Sequence, residues 1–168
     1  PASFSNFLSK NVLGIFPIVA LIAIAVAVIL SFLTRKTKVG RNIYALGGNK
    51  DSAWYSGINV NLHTLIGFLI SGICAGIAGI VLLGRVGSAE PAAATGFETY
   101  AIAASIIGGT SFFGGKGKIF GVVMGGFIIG VINFGMNLLA LPSTLQQVVM
   151  GALIIGSVAL DRLVARKR

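Results

Sequence analysis

Between Lys118 and Asp161 the chain passes through 42 residues without one charged side chain. The hydrocarbon core of a bilayer is about 30 Å thick and a helix rises about 1.5 Å per residue, so a crossing takes about 20 apolar residues. The run is close to twice that length, and Leu141-Pro142-Ser143 breaks it near the middle. We read it as a hairpin of two spanning helices, Ile119–Leu141 and Ser143–Leu160. Pro142 opens the second, where its missing N–H costs little. Lipid is the natural solvent of such a segment.

Two more stretches fit the same rule. Val12–Leu33 carries no charge between Lys10 and Arg35, with Pro17 placed early enough to bend it. Leu62–Gly84 ends at Arg85, with His63 at its edge as an interfacial residue. Only 10% of the 168 residues are charged and 55% are hydrophobic, against about a quarter charged in an ordinary soluble domain. The net charge of +9 sits in short clusters between apolar runs, as in membrane loops, and not in a nucleic-acid-binding face. Cys74 lies inside an apolar run and reads as packing. Pro1 to Lys10 reads as a loop, and the absence of an initiator Met as the mark of a fragment.

Thr99–Gly115 is short and rich in glycine, and charge decides how to place it. If it crosses, there are five spans, and the inner segments Thr34–Asn61, Lys116–Lys118 and Asp161–Arg168 hold 11 of the 13 Lys and Arg residues. Only Lys10 and Arg85 are then outside. If it re-enters, the balance inverts to five inside and eight outside. The expectation is therefore five crossings in a single transmembrane domain over residues 1–168, with the N-terminus outside and the C-terminus cytoplasmic. Helices in lipid associate by close contact of small residues. Gly72-x3-Gly76, Ala75-x3-Gly79, Gly121-x3-Gly125, Gly126-x3-Gly130 and Ala152-x3-Gly156 supply such stripes.

No enzyme constellation is present. One His, one Cys and four acids are too few for a metal site or paired catalytic groups. Gly108-Gly109-Thr110-Ser111-Phe112-Phe113-Gly114-Gly115-Lys116-Gly117-Lys118 invites comparison with a phosphate-binding loop, which requires Gly-x4-Gly-Lys followed by Ser or Thr. Here Thr110 stands five before Gly115 and Gly117 follows Lys116. The chain has no means of hydrolysing ATP itself and calls for no cofactor of its own.

The polar residues of the spans bear on transport. Asn133 and Asn137 share one helix face and either line a path or hydrogen-bond neighbouring helices. Gln146 and Gln147 fall near the outer end of the last helix. Glu90 and Glu98 fall outside, either solvated or touching a docked protein. The loop from Arg35 to Val60 is too rich in Tyr44, Leu46, Trp54, Tyr55 and Ile58 to be a plain charged linker. Its basic start suits anionic headgroups, Gly47-Gly48-Asn49 marks a turn, and Asn49 or Asp51 is placed to cap a short helix running towards Gly57. That helix either lies on the bilayer or docks a protein.

At this loop the sequence resembles the permeases of ribose-type ABC importers. The resemblance rests on Gly40-Arg41-Asn42-Ile43-Tyr44-Ala45-Leu46-Gly47-Gly48-Asn49 and on Ser56-Gly57-Ile58-Asn59-Val60. It continues through Gly87–Pro91, Thr95–Glu98, Ala101–Ala104, Gly108–Ser111, Gly114–Gly117 and Gln146–Gly151, about the last three quarters of the chain. Asp51-Ser52-Ala53-x3-Gly57 is also similar to the Glu-Ala-Ala-x3-Gly pattern by which importer permeases contact their ATPase. It departs at two letters and lacks the downstream Ile-x-Leu-Pro.

The resemblance implies an all-α polytopic bundle, half of a permease like those of the vitamin-B12-type importers. It implies a second permease copy or homologue, a cytoplasmic ABC ATPase that binds the ATP, and an external sugar-binding protein that Glu90 and Glu98 are placed to touch. The cargo is a monosaccharide, ribose first. The expected ATPase-coupling surfaces are Asp51, Ser52, Ala53, Trp54 and Gly57, and Gly108, Gly109, Thr110, Gly115 and Lys116. Asn133 and Asn137 are the expected path residues. A branched-chain amino acid or nucleoside permease of the same superfamily is the near rival. A channel or secondary transporter is the distant one, and it would want intramembrane acids that the spans lack.

Overall fold

The computed structural model describes residues 11–12, 16–90 and 92–166. The expected Pro1–Lys10 loop lies outside them, as do Pro91, Lys167 and Arg168. Seven helices are found among the described residues: α1 (Ile18–Lys36), α2 (Lys38–Gly48), α3 (Lys50–Tyr55), α4 (Val60–Val86), α5 (Phe97–Ile107), α6 (Ile119–Leu138) and α7 (Ser143–Arg166). The fold is all-α, apart from a two-residue antiparallel pairing of β1 (Asn11–Val12) with β2 (Phe16–Pro17). Three helices, α1, α4 and α6, are long and apolar enough to cross a membrane.

Two sequence expectations need correction. The first span begins at Ile18 and not at Val12. Pro17 is extended at φ −66° and ψ 142°, so it precedes the helix and does not bend it. The Thr99–Gly115 segment is not a helix of crossing length. Its helix is 11 residues long, about 16 Å, and gives way at Gly108 to a folded turn. Gly109 takes φ +83°. Its N–H reaches the Ile106 carbonyl at 2.9 Å, and the Thr110 N–H reaches Ser105 at 3.0 Å. This paired capping pattern ends a helix on a left-handed residue.

The described residues fall into two compact units. Those within Pro1–Ile43 and Asp51–Thr95 form the first, and those within Tyr44–Lys50 and Gly96–Arg168 the second. In the first unit α4 begins on Asn59, whose side chain accepts from the Leu62 N–H at 3.1 Å. It ends at Gly87, left-handed at φ 77°. The His63 ring bridges elements here. One ring nitrogen lies 2.8 Å from the Asn59 carbonyl and the other 2.9 Å from the Asn42 amide nitrogen on α2. The arrangement fits a ring that donates to Asn59 and accepts from Asn42. His63 thus does more than mark the interface.

The second unit is a three-helix packing of α5, α6 and α7. A Cβ at Gly121 would fall on the Gly108 carbonyl, and one at Gly125 on the Ala104 carbonyl. The contacts run in opposite order along the two helices, so α5 and α6 are antiparallel and touch backbone to backbone. Of the sequence stripes, Gly121-x3-Gly125 is the one realised in this way. Around Gly72, Gly76, Gly79, Gly126, Gly130 and Gly156 a Cβ would meet nothing within 4 Å. The core joins Ala103 and Ala104 of α5, Ile129 and Met136 of α6 and Met150 of α7. Gln146, also buried, donates to Asn137 Oδ1 at 3.1 Å and to the Leu141 carbonyl at 3.0 Å. It ties the α6–α7 corner together.

Candidate functional site

The Gly108–Lys118 turn is where the second unit converges. It leaves α5 at Gly108 and delivers the chain to α6 after Lys118. The Ser111 N–H bonds to the Lys116 carbonyl at 3.0 Å, and the Gly114 N–H to Ser111 at 3.1 Å. Gly114 and Gly115 are both left-handed, at φ 91° and 73°, a conformation that costs glycine nothing but disfavours residues with a Cβ. The turn closes so tightly that a Cβ on Gly117 would stand 3.0 Å from Thr110 Oγ1. Gly108, Gly109, Thr110, Gly115 and Lys116, expected to act together, do share this one structure.

Two outside elements hold the turn. From α7, the Asp161 carboxylate accepts from the Ser111 hydroxyl at 2.9 Å, and the Arg162 guanidinium lies 6.0 Å from the Phe113 ring centre, within cation–π range. From α2, the Tyr44 hydroxyl donates to the Gly117 carbonyl at 3.1 Å. The last turn of α2 then lies directly on the glycines. A Cβ at Gly47 would stand 2.7 Å from the Gly115 nitrogen, and one at Gly115 would stand 2.6 Å from Gly48 Cα. Two Gly-Gly pairs thus make a seat in which backbone meets backbone. Tyr44 and Asp161 were not among the expected site residues, and Ser111, Gly114 and Gly117 were expected only as part of the Gly108–Lys118 turn. The signal available was the recurrence of Gly-Gly in the two loops, of which Gly47-Gly48 was read only as part of a turn.

The helix α3 carries the other expected surface. Ala53 is buried, while Asp51, Ser52, Trp54 and Tyr55 are exposed. The two aromatic rings stand edge to face at 5.0 Å. Gly57 closes the helix at φ +79°, its N–H bonded to Trp54 at 2.9 Å while the Ile58 N–H reaches Ala53 at 3.1 Å. Gly57 therefore has a definite backbone task, whatever else it does. An exposed aromatic pair on a short helix is an apolar knob of the kind that seats in a partner's pocket.

The remaining expected residues are dispersed. Asn137 is engaged by Gln146, which favours the hydrogen-bonding reading for that residue. Asn133 is half-buried one turn earlier on α6, and Gln147 is exposed. Glu98 is exposed in the first turn of α5, where the helix dipole favours an acid. In the first unit Glu90 borders a cavity of about 390 Å³ lined by Leu82, Leu83, Val86, Ser88 and Ala93. Among the described residues no cluster of metal-ligating side chains occurs.

The profile of the family described as "Branched-chain amino acid transport system / permease component" matches residues 1–158. The chain belongs to that permease family. It is 60% identical over 97% of its length to the D-allose transport system permease protein AlsC of Escherichia coli, covering 50% of that protein. It is 43% identical over 87% of its length to the xylose transport system permease protein XylH of Haemophilus influenzae, covering 38% of it. With the ribose import permease protein RbsC of Bacillus subtilis it shares 43% identity over 95% of its length, covering 49%. The resemblance to sugar permeases read from the loops is thus borne out. The chain spans about half the length of the curated relatives it matches. No solved structure matches it.

Proposed function

We propose that this chain is part of the membrane permease subunit of an ATP-binding-cassette importer that moves a monosaccharide across the cytoplasmic membrane. The observation that carries the reading is the 60% identity, nearly end to end, with a permease named for D-allose. The family description mentions branched-chain amino acids, but these relatives are named for allose, xylose and ribose. Ribose was the first expectation, and the higher identity puts D-allose beside it as a substrate to test.

In this reading the permease contributes a path and a coupling surface, and a separate ATPase subunit supplies the hydrolysis. A sugar-binding protein delivers the cargo outside and a second permease copy completes the path. Trp54 and Tyr55 of α3 seat in the ATPase. ATP binding draws them, and with them the end of α2, whose Gly47-Gly48 step rests on the Gly114-Gly115 backbone. The turn then shifts α5, α6 and α7, which it joins directly or through Asp161. The five Lys and Arg residues of Thr34–Asn61 support a cytoplasmic position for α2 and α3, and the Gly47–Gly115 backbone contact supports the same side for the turn.

The test is uptake of labelled D-allose, ribose and xylose by the full-length protein, expressed with its neighbouring ATPase and binding protein in a host without its own sugar permeases. Uptake of one of them, lost on Trp54→Ala with membrane insertion unchanged, is the expected result. Uptake of leucine and of none of the sugars would transfer the protein to the amino acid branch.

A further inference from the structure

The junction of α1 and α2 is a rigid elbow that carries four exposed cations. From Ile18 to Thr34 the only side-chain polar groups of α1 are the hydroxyls of Ser31 and Thr34. Thr34 folds its own back onto the Leu30 carbonyl at 2.8 Å. A helix so built leaves the hydrocarbon after Thr34, and the next residues, Arg35 and Lys36, stand at headgroup level whichever leaflet they face. Thr37 then breaks the helix at φ −101° and ψ 155°. Its hydroxyl donates to the Leu33 carbonyl at 2.6 Å and accepts from the Gly40 N–H at 3.1 Å, so one side chain caps the end of α1 and the start of α2. Gly40 is buried against the Leu33 and Thr34 backbone, where a Cβ would collide. The chain therefore turns back at a fixed angle. Arg35, Lys36, Lys38 and Arg41 are all exposed around the bend, and the sequence holds no Asp or Glu before Asp51.

We propose that this elbow is a binding site for the phosphate headgroup of an anionic membrane lipid, held by Arg35, Lys36, Lys38 and Arg41. Four like charges within seven residues repel one another, and an anion shared between them relieves that repulsion more closely than bulk salt does. No carboxylate of the elbow's own elements supplies one. The end of a spanning helix fixes the site at the depth where lipid phosphates lie, and Arg presents a planar fork suited to phosphate oxygens. Binding would steady the elbow between α1 and α2. The inference is independent of the cargo, because headgroup binding is read without any transport assay.

The test uses the full-length protein purified in a neutral detergent. Native mass spectrometry measures the retention of added phosphatidylglycerol, with phosphatidylcholine as the uncharged comparison. One variant carries Arg35→Gln, Lys36→Gln, Lys38→Gln and Arg41→Gln. A charge-matched variant carries Lys50→Gln, Arg85→Gln, Lys116→Gln and Lys118→Gln. All four elbow side chains are exposed, and a monodisperse elution profile checks that the helices survive. The elbow variant is expected to lose phosphatidylglycerol affinity by about fivefold for each charge removed. Phosphatidylcholine retention should not change, and the charge-matched variant should keep its phosphatidylglycerol. Equal losses in both variants would overturn the site, because net charge alone would then explain them. Displacement of the lipid by an equal concentration of inorganic phosphate would also overturn it, by making a free anion the ligand. So would a variant that keeps the lipid but no longer retains an ATPase partner, since the elbow would then be a protein contact.

Discussion

The Tyr44 hydroxyl of α2 donates to the Gly117 carbonyl at 3.1 Å, across 73 residues of sequence. It is a single bond, but it stands beside the Gly47–Gly115 backbone contact and ties Tyr44 to the turn. Tyr44→Phe removes the hydroxyl and keeps the ring. The expected loss is about 0.5–1.5 kcal/mol of stability, measured as a shift in detergent-solubilised thermal unfolding. If the seat couples ATPase to path, the same variant lowers transport per ATP hydrolysed while leaving ATPase association intact. An unchanged melting temperature would mean that the glycine contact alone holds α2.

Neighbouring glycines of α6 should respond in opposite directions. A Cβ at Gly125 lands on the Ala104 carbonyl, whereas one at Gly126 meets open space. Gly125→Ala must push α5 from α6, at a cost of about 1–3 kcal/mol. Gly126→Ala should be neutral or raise stability by up to about 1 kcal/mol, because Ala favours the helix. The two melting curves, taken side by side, test the antiparallel α5–α6 packing directly.

Asp161 and Ser111 are partners at 2.9 Å, and both border the turn from opposite ends of the second unit's sequence. A double-mutant cycle with Ser111→Ala and Asp161→Ala should give a coupling of about 0.5–1.5 kcal/mol. The value is kept modest because Asp161 is only half-buried and water competes for its carboxylate. Strictly additive losses would show that the carboxylate does not hold the turn.

The fold was legible wherever hydrocarbon thickness governs it. Leu62–Gly84 and Ile119–Leu141 fall within α4 and α6 or overrun them by three residues at most, because an uncharged run of that length has few alternatives in a bilayer. Thr99–Gly115 misled because it was placed by the distribution of charge, which carries no information on helix length, while the closely packed Gly108 and the left-handed Gly109 end its helix. The start of the first span was misplaced because Val12, Phe16 and Pro17 are as apolar extended as they are helical. At the candidate site, the two Gly-Gly loops were visible in sequence but their mutual contact was not. No local pattern says that Gly47 lies on Gly115, or that Asp161 reaches back fifty positions to Ser111. Such pairings are set by tertiary packing, which periodicity does not encode.

The corner between α6 and α7 offers a gain of stability. Its Ala140 takes φ 50°, alone among the non-glycine residues described in having a positive φ. The Ala140 N–H bonds to the Asn137 carbonyl at 3.0 Å and the Leu141 N–H to Met136 at 3.1 Å. This is the cap that Gly57 and Gly109 provide for α3 and α5. Here a residue with a Cβ fills the glycine position, at a cost of about 1–2 kcal/mol. Pro142 follows directly, so the helix has no route onward. Ala140→Gly relieves the strain and keeps both hydrogen bonds, and part of the gain is offset by the greater freedom of glycine in the unfolded chain. We expect a net stabilisation of about 0.5–1 kcal/mol, read as a rise in the unfolding midpoint. Ala140→Val, with a branched Cβ in the same conformation, should lower the midpoint by more than the glycine raises it. If both variants shift it downwards, the left-handed turn at this corner is not the resting geometry of the protein.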